Sequence, residues 1–267
     1  MGRIEETFSR LRLKGEKALI PFITAGDPDL EKTEAIIHAL VEAGADLIEL
    51  GVPFSDPMAD GPTIQAASER ALAAGVNLGA ILDTVSSVRK HTNIPIVLMG
   101  YYNPIFRYGV ERFAADASKA GVDGVLLVDL PPEEAEEMRD YLTRYGMRYI
   151  TLLAPTTPPE RMARLASEGE GFLYYVSMTG VTGAQKVDAS AIEGEVRSLK
   201  EHGTVPVAVG FGISSAEDAA AVSSFADAVV VGSALVKVVE AYGASPELLP
   251  QVKSFVTSLK QGIRGSK

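Results

Sequence analysis

One feature constrains this chain more than any other: short apolar runs alternate with amphipathic segments from end to end. The runs lie at residues 18–24, 46–51, 95–101, 124–129, 148–154, 172–177, 206–210 and 227–232, and each is rich in Val, Ile and Leu. Helical spacing fills the gaps, as at 31–43 and 132–145. A run that is apolar at nearly every position suits a strand covered on both faces, since neither face meets water. Such strands joined by helical crossovers form parallel sheets, and eight units close naturally on themselves. The expected fold is therefore α/β, a (β/α)8 TIM barrel with extra short helices, in a single domain spanning 1–267. An open doubly wound sheet is the alternative that the same pattern leaves.

Local punctuation agrees with this division. Asp27-Pro28-Asp29 opens a helix with a capping residue followed by a fixed φ. The phrases Ala43-Gly44-Ala45-Asp46 and Ala120-Gly121-Val122-Asp123 each put Gly at a helix end just before a strand. Pro131-Pro132 and Pro158-Pro159 start two more helices. A segment at 78–91, following 65–74, adds a helix to the second unit.

Composition narrows the chemistry. There is no cysteine, so disulfides and thiolate metal sites are excluded, which fits a reducing cytoplasm. His38, His91 and His202 are scattered and form no ligand pattern, so no metal is expected. The net charge of −10 argues against nucleic acid as a partner. The first residues carry no apolar leader, and no apolar run approaches the roughly 18 residues of a membrane span. The expected setting is cytoplasmic, away from membranes.

In a barrel the active site forms at the C-terminal ends of the strands. The second run ends Ile48-Glu49-Leu50-Gly51, and Glu49 is the charged side chain flanked on both sides by strand interior. Burial there raises a carboxyl pKa toward the range useful for acid–base work. The plain alternative is a buried Glu satisfied by a neighbouring hydroxyl. The loop that follows, Val52-Pro53-Phe54-Ser55-Asp56-Pro57-Met58-Ala59-Asp60-Gly61-Pro62, offers a second carboxylate. Asp60 either caps the helix beginning at Gly61-Pro62 or faces Glu49 across the mouth in a different acid–base role. Asp56 suits a turn or a partner contact.

Two glycine-bearing strand ends, Gly210-Phe211-Gly212-Ile213-Ser214 and Gly232-Ser233, stand where barrels often hold phosphate on backbone N–H groups. That would let an acidic chain bind an anion without a basic cluster. Met178-Thr179-Gly180-Val181-Thr182-Gly183-Ala184-Gln185 suits a mobile lid or an ordinary loop. No Lys within a strand run, no Cys and no His cluster leave carboxylates to move protons on a phosphorylated substrate.

The stretch Ile48-Glu49-Leu50-Gly51-Val52-Pro53-Phe54-Ser55-Asp56-Pro57-Met58-Ala59-Asp60-Gly61 closely resembles the signature segment of the tryptophan synthase alpha chains. Pro21-Phe22-Ile23-Thr24-Ala25-Gly26-Asp27-Pro28, Gly180-Val181-Thr182-Gly183 and Gly210-Phe211-Gly212-Ile213-Ser214 resemble other parts of that family, and the resemblance covers the whole chain. It implies retro-aldol cleavage of indole-3-glycerol phosphate to indole and glyceraldehyde 3-phosphate. Glu49 would transfer protons, and Asp60 would stabilise positive charge on the ring. Phe22, Ile64, Met99 and Leu126 would line the indole pocket, with Tyr174 beside Glu49 and Thr182 as a further substrate contact. Gly183, Gly212, Gly232 and Ser233 would hold phosphate. Phe172 stands where some relatives have Tyr, which removes a pocket hydroxyl. The resemblance further implies no cofactor in this chain and a beta-subunit partner carrying pyridoxal phosphate in an alpha2-beta2 assembly. Pro53, Asp56 and Asn103 would lie at that interface.

Three other readings compete. A different phosphate-binding barrel isomerase would need an acid/base pair at other strand ends, and none is visible. A stand-alone indole-3-glycerol phosphate lyase would turn over fast without a partner. A silent subunit that only stimulates its partner fits poorly with the presence of both Glu49 and Asp60.

Overall fold

Each apolar run becomes a strand, and the strands are all parallel. The computed structural model describes residues 2–176, 189–210 and 212–265. The strands are β1 (Ala18–Thr24), β2 (Ile48–Gly51), β3 (Ile96–Gly100), β4 (Gly124–Leu127), β5 (Arg148–Tyr149), β6 (Thr151–Leu153), β7 (Leu173–Val176), β8 (Val207–Gly210) and β9 (Ala228–Val231). The helices are α1 (Arg3–Leu13), α2 (Leu30–Glu42), α3 (Pro62–Ala73), α4 (Leu78–Val88), α5 (Tyr102–Tyr108), α6 (Val110–Ala120), α7 (Glu136–Arg144), α8 (Pro159–Ser167), α9 (Ala189–His202), α10 (Ala216–Ser223), α11 (Ser233–Tyr242) and α12 (Leu248–Gly265).

The sheet order is β5-β4-β3-β2-β1-β9-β8-β7-β6. Its two ends, β5 and β6, belong to the single run 148–154. The first half of that run pairs with β4 through Val125 and Tyr149, and the second half pairs with β7 through Thr151 and Leu173. Eight expected strands thus become nine, because the fifth run changes partner at Ile150, and this change closes the barrel. The open-sheet alternative falls with it.

Alternation along the strands explains why the runs are apolar throughout. Ile20, Val97, Leu126, Tyr174, Ala208 and Val230 fill the barrel interior. Leu19, Leu98, Val125, Tyr175, Val209 and Val229 face the helices in the larger core. The helix α1 was not foreseen. Its Ile4, Phe8 and Leu11 recur at helical spacing and join the interior cluster, so α1 plugs one end of the barrel. Phe172 lies beside it, 5.8 Å from Phe8 between ring centroids. The expected helix 132–145 is broken at Ala135 into a short 3-10 turn, Pro132–Glu134, and α7. The cap of α2 is Asp29, which accepts the Lys32 N–H at 2.7 Å. Asp27 is turned inward and takes two hydrogen bonds of 2.8 Å from Arg70.

The repeated Gly-x-Asp phrase has a shared purpose. Gly44 and Gly121 end their helices at positive φ. The aspartate that follows each one stands just before a strand and accepts the N–H of a residue on the neighbouring strand. Asp46 takes Leu19 N at 2.9 Å, Asp123 takes Ile96 N at 2.8 Å, and Asp227 repeats the arrangement with Val207 N at 3.1 Å. Each also holds a cation: Lys260 on Asp46, Arg89 and Arg3 on Asp123, Lys200 and Lys17 on Asp227. These aspartates sit at the N-terminal ends of the strands, the stability face of a barrel, which leaves the opposite face for function.

Candidate active site

The opposite mouth holds two carboxylates in dry surroundings. Glu49 is the second residue of β2 and pairs in register with Phe22 on β1 and Val97 on β3. Its side chain lies on the interior face and is 1 % exposed. Oε1 has no hydrogen-bond partner among the described residues. Burial alone raises the Glu49 pKa to about 8. Tyr174 on β7 is also buried. Burial, followed by the charges of Glu49 and Asp60, pushes its hydroxyl well above the ordinary tyrosine range. Both carboxylates therefore lie within electrostatic reach of Tyr174.

Asp60 closes the loop after β2. It is not the helix cap: Gly61 takes that position on α3, without a side-chain acceptor. The Asp60 carboxylate instead accepts a hydrogen bond of 3.1 Å from the Tyr101 hydroxyl. Burial raises its pKa to about 6, and the bond from Tyr101 opposes part of that rise. Tyr101 also accepts the Ala59 N–H at 2.9 Å, and Gln65 Nε2 donates to the Asp60 carbonyl at 2.9 Å.

Phe22, Ile64 and Met99 line a small pocket that Asp60 and Tyr101 also border. Leu126 lies deeper, fully buried in the interior cluster with Tyr174. Glycines at two strand ends make this packing possible. A Cβ on Gly51 would come within 2.5 Å of the Phe22 ring, and one on Gly210 within 2.1 Å of the Tyr174 oxygen. Sequence reading assigned Gly210 to the phosphate loop and overlooked its role as clearance for Tyr174. It also missed Tyr101 and Thr24. Thr24 borders the pocket with a buried hydroxyl that has no partner among the described residues. A signal existed for Tyr101, since it ends the third run at the functional face.

The phosphate expectations divide. Gly183 and Thr182, with the rest of the loop 178–185, lie outside the described residues. Gly212 follows β8 at φ +75°. Beyond it, α10 is closed by its own capping box, in which Asp218 takes the N–H groups of Ser214 and Ser215 at 3.0 Å. Gly232 caps α11 with no side-chain acceptor, and Ser233 is the first helical residue. The leading N–H groups of a helix lack intrahelical partners, so the end of α11 is open to an anion where α10 is not. Gly232 adjoins Phe22, which places this end beside the pocket.

Of the three interface candidates, Asp56 and Asn103 are exposed, whereas Pro53 is buried within the chain. Two unforeseen apolar side chains share their segments: Met58 is 88 % exposed and Phe106 on α5 is 63 % exposed.

Comparison with known proteins follows the same line. The family model described as tryptophan synthase alpha chain matches residues 8–264. The chain belongs to the tryptophan synthase alpha chain family. It is 59 % identical over 263 residues to the alpha chain of Geotalea daltonii, covering 98 % of this chain and 99 % of that one. The corresponding chain of Geobacter sulfurreducens is 57 % identical, with the same coverage. Among solved structures, tryptophan synthase subunit alpha from Legionella pneumophila superposes with a TM-score of 0.91 at 42 % identity, covering 99 % of both chains. A tryptophan synthase structure from Mycobacterium tuberculosis gives 0.90 at 38 % identity, covering 98 % of both chains. The chain is accordingly a lyase of the tryptophan synthase alpha type, whose reaction is cleavage of indole-3-glycerol phosphate. The stand-alone alternative is not favoured. Among the described residues no single helix is long and apolar enough to cross a membrane.

Proposed function

We propose that Glu49 and Asp60 carry the alpha reaction with opposite protonation states. The observation that supports this is the pair of raised pKa values, about 6 at Asp60, which borders the pocket, and about 8 at Glu49, buried on the strand beside Phe22 of the pocket wall. Near neutral pH Glu49 is then protonated and Asp60 ionised, the separation of roles expected of two carboxyls in unlike environments. Glu49 gives its proton to C3 of the indole ring. Asp60 stabilises the positive charge that this leaves on the ring nitrogen. The Glu49 carboxylate then takes the proton of the side-chain hydroxyl next to the scissile bond. The C–C bond breaks, its electrons restore indole, and the aldehyde leaves as glyceraldehyde 3-phosphate. Glu49 ends protonated, so the cycle balances.

Phe22, Ile64 and Met99 hold the ring, with Leu126 and Tyr174 behind them. Ser233 and the backbone of Gly232 at α11, with Gly212, Gly183 and Thr182, hold the phosphate end. Asp56 and Asn103, with Met58 and Phe106, form the surface for a tryptophan synthase beta subunit, and Pro53 shapes the loop beneath. The beta subunit holds the pyridoxal phosphate, this chain holds no cofactor, and the assembly is alpha2-beta2 in the cytoplasm.

The test is indole release from indole-3-glycerol phosphate, with and without the matching beta subunit, in the wild-type chain and in Glu49→Gln. The expected result is slow release that rises sharply with the partner and vanishes in the variant. Fast release without the partner would favour a stand-alone lyase. No release with the partner would overturn the reading.

A further inference from the structure

We propose that Tyr101 is a positioning residue for this reaction: its hydroxyl, at the end of β3, ties the loop after β2 in place, aims the Asp60 carboxylate and supports its ionised form. The proposal rests on the role given to Asp60 above. Its geometric basis is the double use of one oxygen. The Ala59 N–H donates to the Tyr101 hydroxyl at 2.9 Å, so that oxygen acts there as acceptor. Its single proton is left for the Asp60 carboxylate at 3.1 Å. A phenol has one donor, so the first bond orients the second.

Among the described residues, the other restraints on Asp60 act on its backbone. Asp60 N donates to the Pro57 carbonyl at 3.0 Å, and Gln65 holds the Asp60 carbonyl. Neither reaches the carboxylate, and α3 is capped by Gly61 rather than by Asp60. Tyr101 is itself held firmly. It is 6 % exposed, and its ring lies 5.1 Å from that of Phe54, which belongs to the same loop. Burial, followed by the charge of Asp60, pushes its hydroxyl far above the ordinary tyrosine range, so it remains a donor wherever the enzyme operates.

The described groups that face this pair are anionic or neutral. Glu49 comes from β2 and Tyr174 from β7, and the latter responds to both carboxylates. Asp129, beyond β4, acts on Tyr101 while accepting the Tyr102 N–H at 2.8 Å. Tyr101 is the described group that draws Asp60 back toward the ionised form against its burial.

The experiment measures kcat and KM for indole-3-glycerol phosphate in the complex with the matching beta subunit. It compares wild type, Tyr101→Phe, Asp60→Asn and the double variant, from below the Asp60 pKa of about 6 to above the Glu49 pKa of about 8. Phe keeps the ring against Phe54. Loss of a hydrogen bond to a charged group predicts a fall in kcat/KM of roughly 10- to 100-fold on the acid side. The acid limb of the profile will also move to higher pH, because Asp60 loses its donor. In the Asp60→Asn background the second change will cost less than about twofold, as for a residue acting through its partner. A purely structural role would leave the limb where it is and lower both backgrounds alike. An unmoved limb, or equal losses in the two backgrounds, would overturn the proposal while leaving the reading of the site intact. A wild-type complex that releases no indole would overturn both.

Discussion

Replacing Glu49 by Gln will remove turnover and, at the same time, make the fold more resistant to alkali. The magnitude follows from the raised pKa. An ordinary glutamate titrates at 4.5, whereas Glu49 in the folded chain titrates at about 8. Below pH 4.5 the carboxyl is neutral folded and unfolded, and it adds no pH dependence. Between the two values the unfolded chain has lost the proton and the folded chain keeps it. Stability therefore falls as pH rises, by about 1.4 kcal/mol per unit. At pH 7 the loss amounts to roughly 3 kcal/mol, and above pH 8 it levels off near roughly 5 kcal/mol. Gln has the same size and no charge, so it avoids this loss. Its amide leaves a buried donor unpartnered at a cost of about 1–3 kcal/mol. The two stability curves will therefore cross in mildly acidic solution, and the variant will be the more stable above the crossing. Urea unfolding of both chains at a series of pH values measures this, since a shift in midpoint at constant slope reports stability. Both proton transfers pass through Glu49, and each is worth roughly 10²–10⁴-fold, so indole release will drop by at least about 10⁴-fold. Parallel stability curves would refute the reasoning, because they would mean that Glu49 is not held neutral inside the wall.

Other outcomes follow from the same geometry. The kcat/KM profile will be bell-shaped, rising through about 6 as Asp60 ionises and falling through about 8 as Glu49 loses its proton; Asp60→Asn will remove the acid limb. Gly210→Ala places a methyl 2.1 Å from the Tyr174 oxygen, so the ring must move. Overpacking of this kind will lower stability by about 1–3 kcal/mol in thermal unfolding and will reduce indole release. Lys260→Met leaves Asp46 buried without its cation and will lower stability by about 3–5 kcal/mol, while kcat per folded molecule stays unchanged, since this pair lies at the far end of the barrel.

The barrel was legible because every strand here is buried on both faces, which turns strands into apolar runs with little ambiguity. The boundaries shifted by a residue or two. The division of residues 148–154 between two partners was not legible, since nothing in the apolarity of Arg148 to Ala154 says which neighbour each half will join. Helix α1 was overlooked although Ile4, Phe8 and Leu11 carry its stripe; an N-terminal segment read for a leader was not read for a plug. Glu49 stood out because a charge inside an apolar run has few places to go. Asp60 did not separate from a helix cap in sequence, because an acidic residue before Gly-Pro fits both roles. Tyr101 settles it from the end of the neighbouring strand β3, 41 residues further along the chain, through a contact that no local pattern records.

The two ends of the barrel use the same functional group in opposite ways, and chain position decides which. Asp46, Asp123 and Asp227 stand one or two residues before a strand begins. There a neighbouring strand offers an N–H and a helix offers Lys or Arg, so the charged form is satisfied. For Asp227, burial raises the pKa, but Lys200 and the Val207 N–H outweigh it and hold the carboxyl below its usual value. Glu49 stands inside its strand on the interior face, where the backbone N–H groups serve the ladder and no cation among the described residues intrudes, so burial acts unopposed. Asp60 falls between these cases, with one phenolic donor set against its burial. The separation has a consequence for mutation. Removing a carboxylate at the closed end exposes an unpaired cation and weakens the fold while sparing the chemistry. Removing one at the mouth relieves the fold and stops the chemistry. A chain whose mouth carboxylates proved to be its main stabilising charges would contradict this division.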